Sequence, residues 1–207
     1  MGKTVMCLAL VALDGVPGVA SARTAAPQLL ALGGAQAVAQ PRLASFFGPS
    51  ADSGVGGTLV VAPLSLLRQW MSEAEAHFPA GRCPKMHEYH GPGRRLTPER
   101  LRSFGVVLTT YGTLAAETEG SPLLQVYWRR LILDEAHSIK NHRSRQAQAA
   151  FRLRAYSRWA VTGTPLQNSV DELYSLVRLL RLDPWSSWAA WHRAVSLPLE
   201  RARQGEA

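Results

Sequence analysis

Two rhythms of apolar and polar positions run through this chain. Short apolar runs, the pattern of strands covered on both faces, stand at Thr58–Pro63 (TLVVAP), Val106–Tyr111 (VVLTTY), Arg130–Glu135 (RLILDE) and Arg158–Gly163 (RWAVTG). Met86–Gly91 (MHEYHG) reads as a further strand. The segments between them carry helical spacing. Leu66, Leu67, Trp70, Ala74 and Phe78 mark one face of a helix over Ser65–Phe78, with Ser65 as its cap. Thr97–Phe104 is a short helix with Thr97 as cap and Pro98 in its first turn. Ser144–Tyr156 turns Ala147, Phe151 and Leu153 inward, and Val170–Leu182 aligns Leu173, Leu176, Val177 and Leu180. Gly2–Leu13 reads as a short apolar helix. Strands alternating with helices predict an α/β fold, a parallel sheet with helices on both faces.

One stretch breaks the rhythm. Gly15–Gly57 is rich in Ala, Gly, Pro and Ser and poor in charge, which predicts a low-complexity insert, partly without order, with a weak helix around Gln28–Val38. The chain therefore divides into residues 1–14, the insert 15–57, and an ordered remainder, 58–207.

Ligands of parallel sheets bind beyond the carboxyl ends of the strands. Here those ends are Pro63, Thr109-Thr110, Asp134-Glu135 and Thr162-Gly163-Thr164, a polar set. In LILDEAHSIKN (Leu131–Asn141) an apolar strand runs into two acids. A carboxylate at a strand end can hold magnesium, and a neighbouring one can take a proton from the attacking water. Asp134 is the candidate metal group, Glu135 the candidate base, and His137 a link to a neighbouring strand end. The bland alternative is a strand that ends at a solvated turn. Gly2, Lys3 and Thr4 match the end of a phosphate loop, in which glycine lets backbone N–H groups approach phosphates, lysine reaches them and the hydroxyl meets magnesium. In TGTPLQN (Thr162–Asn168) the threonine hydroxyls can bond the two acids if the strands adjoin.

Charge extends the picture to partners. The net charge of +8 favours polyanions, nucleic acid first and acidic membrane surfaces second. It is spread from Arg94 to Arg203, which suggests a basic face as readily as an ordinary soluble surface. Cys7 and Cys83 allow one disulfide but no disulfide framework, in keeping with a reducing compartment. Cys83, His87 and His90 lack a fourth ligand at zinc-finger spacing, so no structural zinc is expected. The first 22 residues, with Lys3, an apolar run and Ala20-Ser21-Ala22, also outline a secretory signal, a reading that leaves the acids and TGTP unexplained. Met6 fits a myristoylation signal poorly, and no apolar run is long enough to span a bilayer.

MGKT, LVVAPLSLLRQW, VVLTTYGTL, LILDEAHSIKN and WAVTGTPLQNSVDELYSLVRLL together resemble consecutive motifs of the Swi/Snf-type ATPases, double-stranded-DNA translocases of helicase superfamily two. SPLLQVYWRRLILDEAH and LDPWSSWAAWHRAVSLPL resemble, more narrowly, the subgroup of the helicase-like transcription factor. The resemblance implies a RecA-like first lobe, with ATP and Mg2+ as cofactors. Lys3 and Thr4 would bind phosphates and magnesium, and Asp134 and Glu135 would be the magnesium and hydrolysis pair. Thr162 and Thr164 would couple hydrolysis to DNA, and Ser65, Thr109, Thr110 and Lys140 would lie along a DNA backbone, read without sequence preference. It also implies a nuclear location, chromatin or replication-fork partners, no membrane, and a role in remodelling or DNA-damage tolerance. Against the family pattern the sequence lacks the start of the phosphate loop, the adenine-binding segment, the second lobe and the RING insertion. That implies a first-lobe fragment inactive or weakly active by itself; the alternative is a catalytically inactive DNA- or partner-binding fragment.

Overall fold

The computed structural model describes residues 2–13, 55–78, 83–164 and 170–204. Most of the expected insert, including Gln28–Val38, and Pro165–Asn168 of the TGTPLQN stretch lie outside the described residues. Five strands form one sheet in the order β2-β3-β1-β4-β5: β1 (Gly56–Ala62), β2 (Met86–Glu88), β3 (Val106–Thr110), β4 (Tyr127–Asp134) and β5 (Arg154–Val161). Every pairing is parallel.

Alternation along the strands decides which side chains meet which helices. Leu59 and Val61 of β1, Val107 of β3, and Leu131 and Leu133 of β4 face one core. That core is closed by α3 (Pro98–Arg102), α4 (Tyr111–Ala116), α5 (Pro122–Gln125), α6 (Arg145–Arg152) and α7 (Val170–Leu180). Val60, Ala62, Val106, Leu108 and Ile132 face the other core, closed by Cys7 and Leu8 of α1 (Lys3–Leu13) and by Leu67, Trp70 and Ala74 of α2 (Leu64–His77). Asp134 has the parity of Ile132, so β4 delivers its carboxylate to the α1–α2 side.

Several boundaries differ from the sequence reading, each for a packing reason. β1 starts at Gly56, two residues early. A side chain at Gly57 would place its Cβ 2.3 Å from the Gly105 carbonyl oxygen, so glycine lets the two chains close there. β2 is only three residues long, followed by a 3-10 turn over Gly91–Arg94 that opens on Gly91 at φ 53°. Pro63, not Ser65, stands at the N-cap position of α2, without a side-chain capping bond, and Ser65 lies exposed in its first turn. Thr97 caps α3 as expected, accepting from Arg100 N–H at 3.3 Å. Tyr111 leaves β3 and opens α4. β4 starts at Tyr127 rather than Arg130 because fully buried Trp128 belongs to it. α6 stops at Arg152, and Arg154-Ala155 pair with Tyr127-Trp128, so the sheet claims residues that helical spacing had assigned to the helix. On α7 Tyr174, Ser175, Leu176 and Leu179 are buried, while Leu173, Val177 and Leu180 are half-buried.

Tyr174 is covered from the C-terminal end. There α8 (Trp188–Trp191), a π-helical turn (His192–Ser196) and α9 (Leu197–Gln204) follow one another. Trp188 stacks between His142 (ring centroids 4.9 Å apart) and His192 (5.6 Å). Tyr174 meets His142 and Trp188 edge-on, at 5.1 and 5.0 Å. Asp171 Oδ1 accepts from Trp191 Nε1 at 3.3 Å and from Ser196 Oγ at 2.5 Å. The aromatic residues and Asp171 thus clasp the last helices to α7 and to the loop that follows β4.

Candidate nucleotide site

The strand ends converge as the alternation requires. Ala62 pairs with Thr110, Val61 with Leu133, and Asp134 with Val161, so Thr162 begins one residue beyond the partner of Asp134. At this edge Asp134 is nearly fully buried, at 4% exposure, and held from three sides. Trp70 Nε1 of α2 donates to Asp134 Oδ2 at 2.9 Å. Glu135 N–H donates to Asp134 Oδ1 at 2.9 Å. Tyr111 Oη donates to the Asp134 carbonyl at 2.8 Å. Burial first, then the charges of Asp134 and Glu135, hold the Tyr111 phenol above its ordinary range, so it stays a donor. Burial and the Asp134 charge likewise push the Cys7 thiol up to about 11, which makes it an inert packing residue behind the site.

Glu135 adopts the left-handed conformation, φ 48° and ψ 54°. A non-glycine residue there is strained by about 1–2 kcal/mol, and such strain clusters at functional sites. The carboxylate bridges two partners, with Lys3 Nζ 3.0 Å from Oε1 and His137 Nδ1 3.2 Å from Oε2. The His137 approach is an ion pair when the ring is protonated, but it lacks the alignment of a hydrogen bond, since Nδ1 has no such partner. Within the 3-10 turn Ala136–Ile139 the Nδ1 of His137 turns back to Glu135.

α1 brings the third component. Gly2, at φ 103°, takes a conformation open to glycine, and its carbonyl accepts from Met6 N–H at 3.0 Å. Lys3 and half-buried Thr4 form the first turn of α1, where backbone N–H groups and the helix dipole favour anions. A Cβ at Gly163 would lie 3.6 Å from Lys3 Nζ, so the Thr162–Thr164 turn faces the same lysine. Thr162 Oγ1 accepts from Thr164 N–H at 3.1 Å, fixing that turn.

The residue types suit magnesium with a nucleotide. Magnesium takes oxygen donors, usually one or two from protein and the rest from water and phosphate. Each Asp134 oxygen keeps one acceptor position beyond its present hydrogen bond, and Thr4 offers a hydroxyl. Among the described residues there is no cluster of three or more His, Cys, Asp and Glu side chains that could hold a metal ion, so oxygen donors to magnesium here would come mostly from water and phosphate. His87 stacks on Phe104, His90 Nδ1 lies 2.8 Å from Thr113 Oγ1, and Cys7 and Cys83 are free thiols. No described helix is long and apolar enough to cross a membrane.

The candidate DNA residues divide. Ser65 is exposed beside Leu64 at the start of α2. Lys140 is exposed, with Nζ 3.8 Å from Glu172 Oε1 of α7. Thr109 is fully buried and donates to the Tyr89 carbonyl at 2.9 Å. Thr110, also buried, caps α4 by accepting from Thr113 N–H at 3.0 Å and donates to Thr113 Oγ1 at 2.9 Å. Both hydroxyls are thus engaged by partners inside the fold. A cleft of about 930 Å3 lies elsewhere, lined by Tyr89, Arg94, Arg95, Glu117 and Ser121 among others, and none of the sequence-picked site residues borders it. Sequence reasoning missed two supports of the acids: Trp70 read as a core residue on a helix face, and Tyr111 as the end of a strand.

Known proteins are similar to this chain in sequence and fold. DNA repair protein RAD5A of Arabidopsis thaliana is 42% identical over 151 residues, covering 70% of this chain and 15% of its own length. The helicase-like transcription factor of Homo sapiens is 38% identical over 151 residues, covering 72% of this chain and 15% of its own length. This chain therefore spans only a small part of the curated relatives it matches. Among solved structures, the Sulfolobus solfataricus SWI2/SNF2 ATPase core in complex with dsDNA superposes with a TM-score of 0.60 at 28% identity, over 72% of this chain and 30% of that one. The five-stranded parallel sheet is thus the RecA-like fold of a SWI2/SNF2 ATPase core. The SNF2-related domain family matches residues 1–207, and the chain belongs to that family.

Proposed function

We propose that this chain is the nucleotide-binding first lobe of an ATP-dependent double-stranded-DNA translocase acting in the nucleus, in DNA-damage tolerance or chromatin remodelling. The observation that carries the reading is the convergence of Lys3, Asp134 and Glu135 at one sheet edge, with Lys3 Nζ 3.0 Å from Glu135. Residues 1–14 supply the end of a phosphate loop and its helix, and residues 58–207 the rest of the lobe. Bound magnesium would neutralise phosphate charge. Thr4 and Asp134 are the residues that would hold it, and Lys3 and the first turn of α1 would hold the ATP phosphates. Glu135 would take the proton of the attacking water, with Lys3 moving from its carboxylate to the nucleotide. Thr162 and Thr164 would pass the state of the nucleotide to the DNA side, where Ser65 and Lys140 lie near the phosphate backbone. The relatives named as DNA repair proteins and the duplex in the Sulfolobus complex support the choice of partner.

The test is ATP hydrolysis with and without duplex DNA, on this chain and on a chain that also carries a second lobe. DNA-stimulated turnover in the two-lobed chain, lost in Glu135→Gln with nucleotide binding retained, is the expected result. Nucleotide-independent DNA binding with no turnover in either chain would favour a role as a binding module instead.

A further inference from the structure

Asp134 has a neighbour that the functional reading leaves without a role. Trp70 is 1% exposed, in the second turn of α2, and gives its only polar atom to Asp134 Oδ2 at 2.9 Å. A buried indole N–H needs an acceptor of some kind. Backbone carbonyls satisfy the equally buried Trp128, whose Nε1 donates to the Leu123 carbonyl at 3.1 Å. At Trp70 the acceptor is instead a buried carboxylate. With Oδ1 taken by Glu135 N–H, both oxygens are fixed, and the side-chain torsions of Asp134 are set by two groups from different elements. Tyr111 from α4 fixes its backbone as well. Groups that orient a metal-binding carboxylate from behind typically change metal affinity by about 10–100-fold when removed.

We propose that Trp70 is a positioning residue for the Asp134 carboxylate: its indole N–H holds Oδ2 so that the carboxylate's remaining acceptor positions are set for magnesium before nucleotide arrives. The inference rests on the reading of this edge as a magnesium–nucleotide site. Trp70 touches neither metal nor nucleotide, so its removal acts on the metal-dependent part of binding alone.

The experiment uses the full chain and a fluorescent ATP analogue, titrated with Mg2+ and, separately, in EDTA. Trp70→Phe removes the N–H together with some packing volume. A benzothiophene isostere of tryptophan at position 70 puts sulfur in place of N–H and keeps the shape, so a folding defect in the phenylalanine variant does not decide the result. The expected outcome is a loss of about 10–100-fold in Mg2+ affinity for the isostere, with nucleotide affinity in EDTA and the melting temperature at their parental values. In the parental chain the Trp70 indole N–H resonance should shift as Mg2+ is added to the nucleotide complex. Parental Mg2+ dependence in a folded isostere would overturn the role of Trp70 while leaving the nucleotide site standing. Absence of Mg2+-dependent nucleotide binding in the parental chain would overturn the functional reading, and this inference with it.

Discussion

The edge around Asp134 and the aromatic clasp around Trp188 are joined by one loop, yet they are held in opposite ways. At the edge, charged side chains are fixed by hydrogen bonds and ion pairs, and one residue, Glu135, carries a left-handed backbone. Its partners are exchangeable: Lys3 can trade a carboxylate for a phosphate, because both are oxyanions. At the clasp, Tyr174, Trp188, Trp191, His142 and His192 meet ring to ring. A phosphate cannot take the place of a ring in these contacts. The loop between the regions is tied to the clasp side, since Ser175 Oγ donates to the Lys140 carbonyl at 3.1 Å and Lys140 pairs with Glu172. The lesson is a division of labour: strain and exchangeable bonds lie at the proposed nucleotide edge, and ring packing anchors the segment behind it.

The largest effect that could break this comparison is catalytic. In a two-lobed chain, Glu135→Gln should lower ATP turnover by ~10²–10⁴-fold while leaving the melting temperature near the parental value, because the amide keeps the size of the side chain but cannot accept the proton. Parental turnover in that variant would return Glu135 to a mere turn residue. Next in size, Trp188→Ala should lower unfolding free energy by about 2–4 kcal/mol, measured in urea, since it removes the ring on which two histidines and Tyr174 converge. Its nucleotide affinity should stay parental; a parallel loss of both would show that the regions are not separable.

Smaller effects sharpen the contrast. Glu135→Gly should raise unfolding free energy by about 1 kcal/mol as the left-handed backbone is relieved, the partly exposed pair with Lys3 being worth little. The same change removes the proposed base, so a gain in melting temperature with a loss of turnover is the signature of strain held for function. Smallest is a pH effect at the clasp. Burial first, then Arg143 and Arg178, hold the His142 pKa below its ordinary 6.5, opposed by Asp171. A depressed folded pKa means that the unfolded chain binds the proton more readily. The contribution of His142 is therefore fully present above pH 6.5 and is lost as pH falls through the folded pKa. Urea midpoints measured from pH 7.5 downward should fall more in the parental chain than in His142→Phe.

Legibility differed along the chain for physical reasons. β1, β3 and β4 lie between covered faces, so a run of apolar residues was their only workable composition, and each was visible. β5, at the edge of the described sheet, is half-exposed over much of its length, and its first residues, Arg154-Ala155-Tyr156, carried a helical pattern continuous with α6. Pairing with β4 overrode that local preference. The clasp was invisible as a unit, because stacking between His142, Tyr174 and Trp188 joins residues too far apart in sequence for any periodicity to record.

The sequence by itself determined the alternating strands and helices of a parallel α/β lobe, the acids at the end of β4, and the lysine and glycine that open α1. Each follows from a local pattern: apolar period, residue type at a strand end, or glycine where φ is positive. Tertiary structure alone decided that Trp70 and Tyr111 support Asp134 and that Thr109 and Thr110 are turned inward. Those outcomes depend on which hydrogen-bond partner lies within about 3 Å of a buried polar atom, and that partner is brought there by helices and strands packing across the sheet.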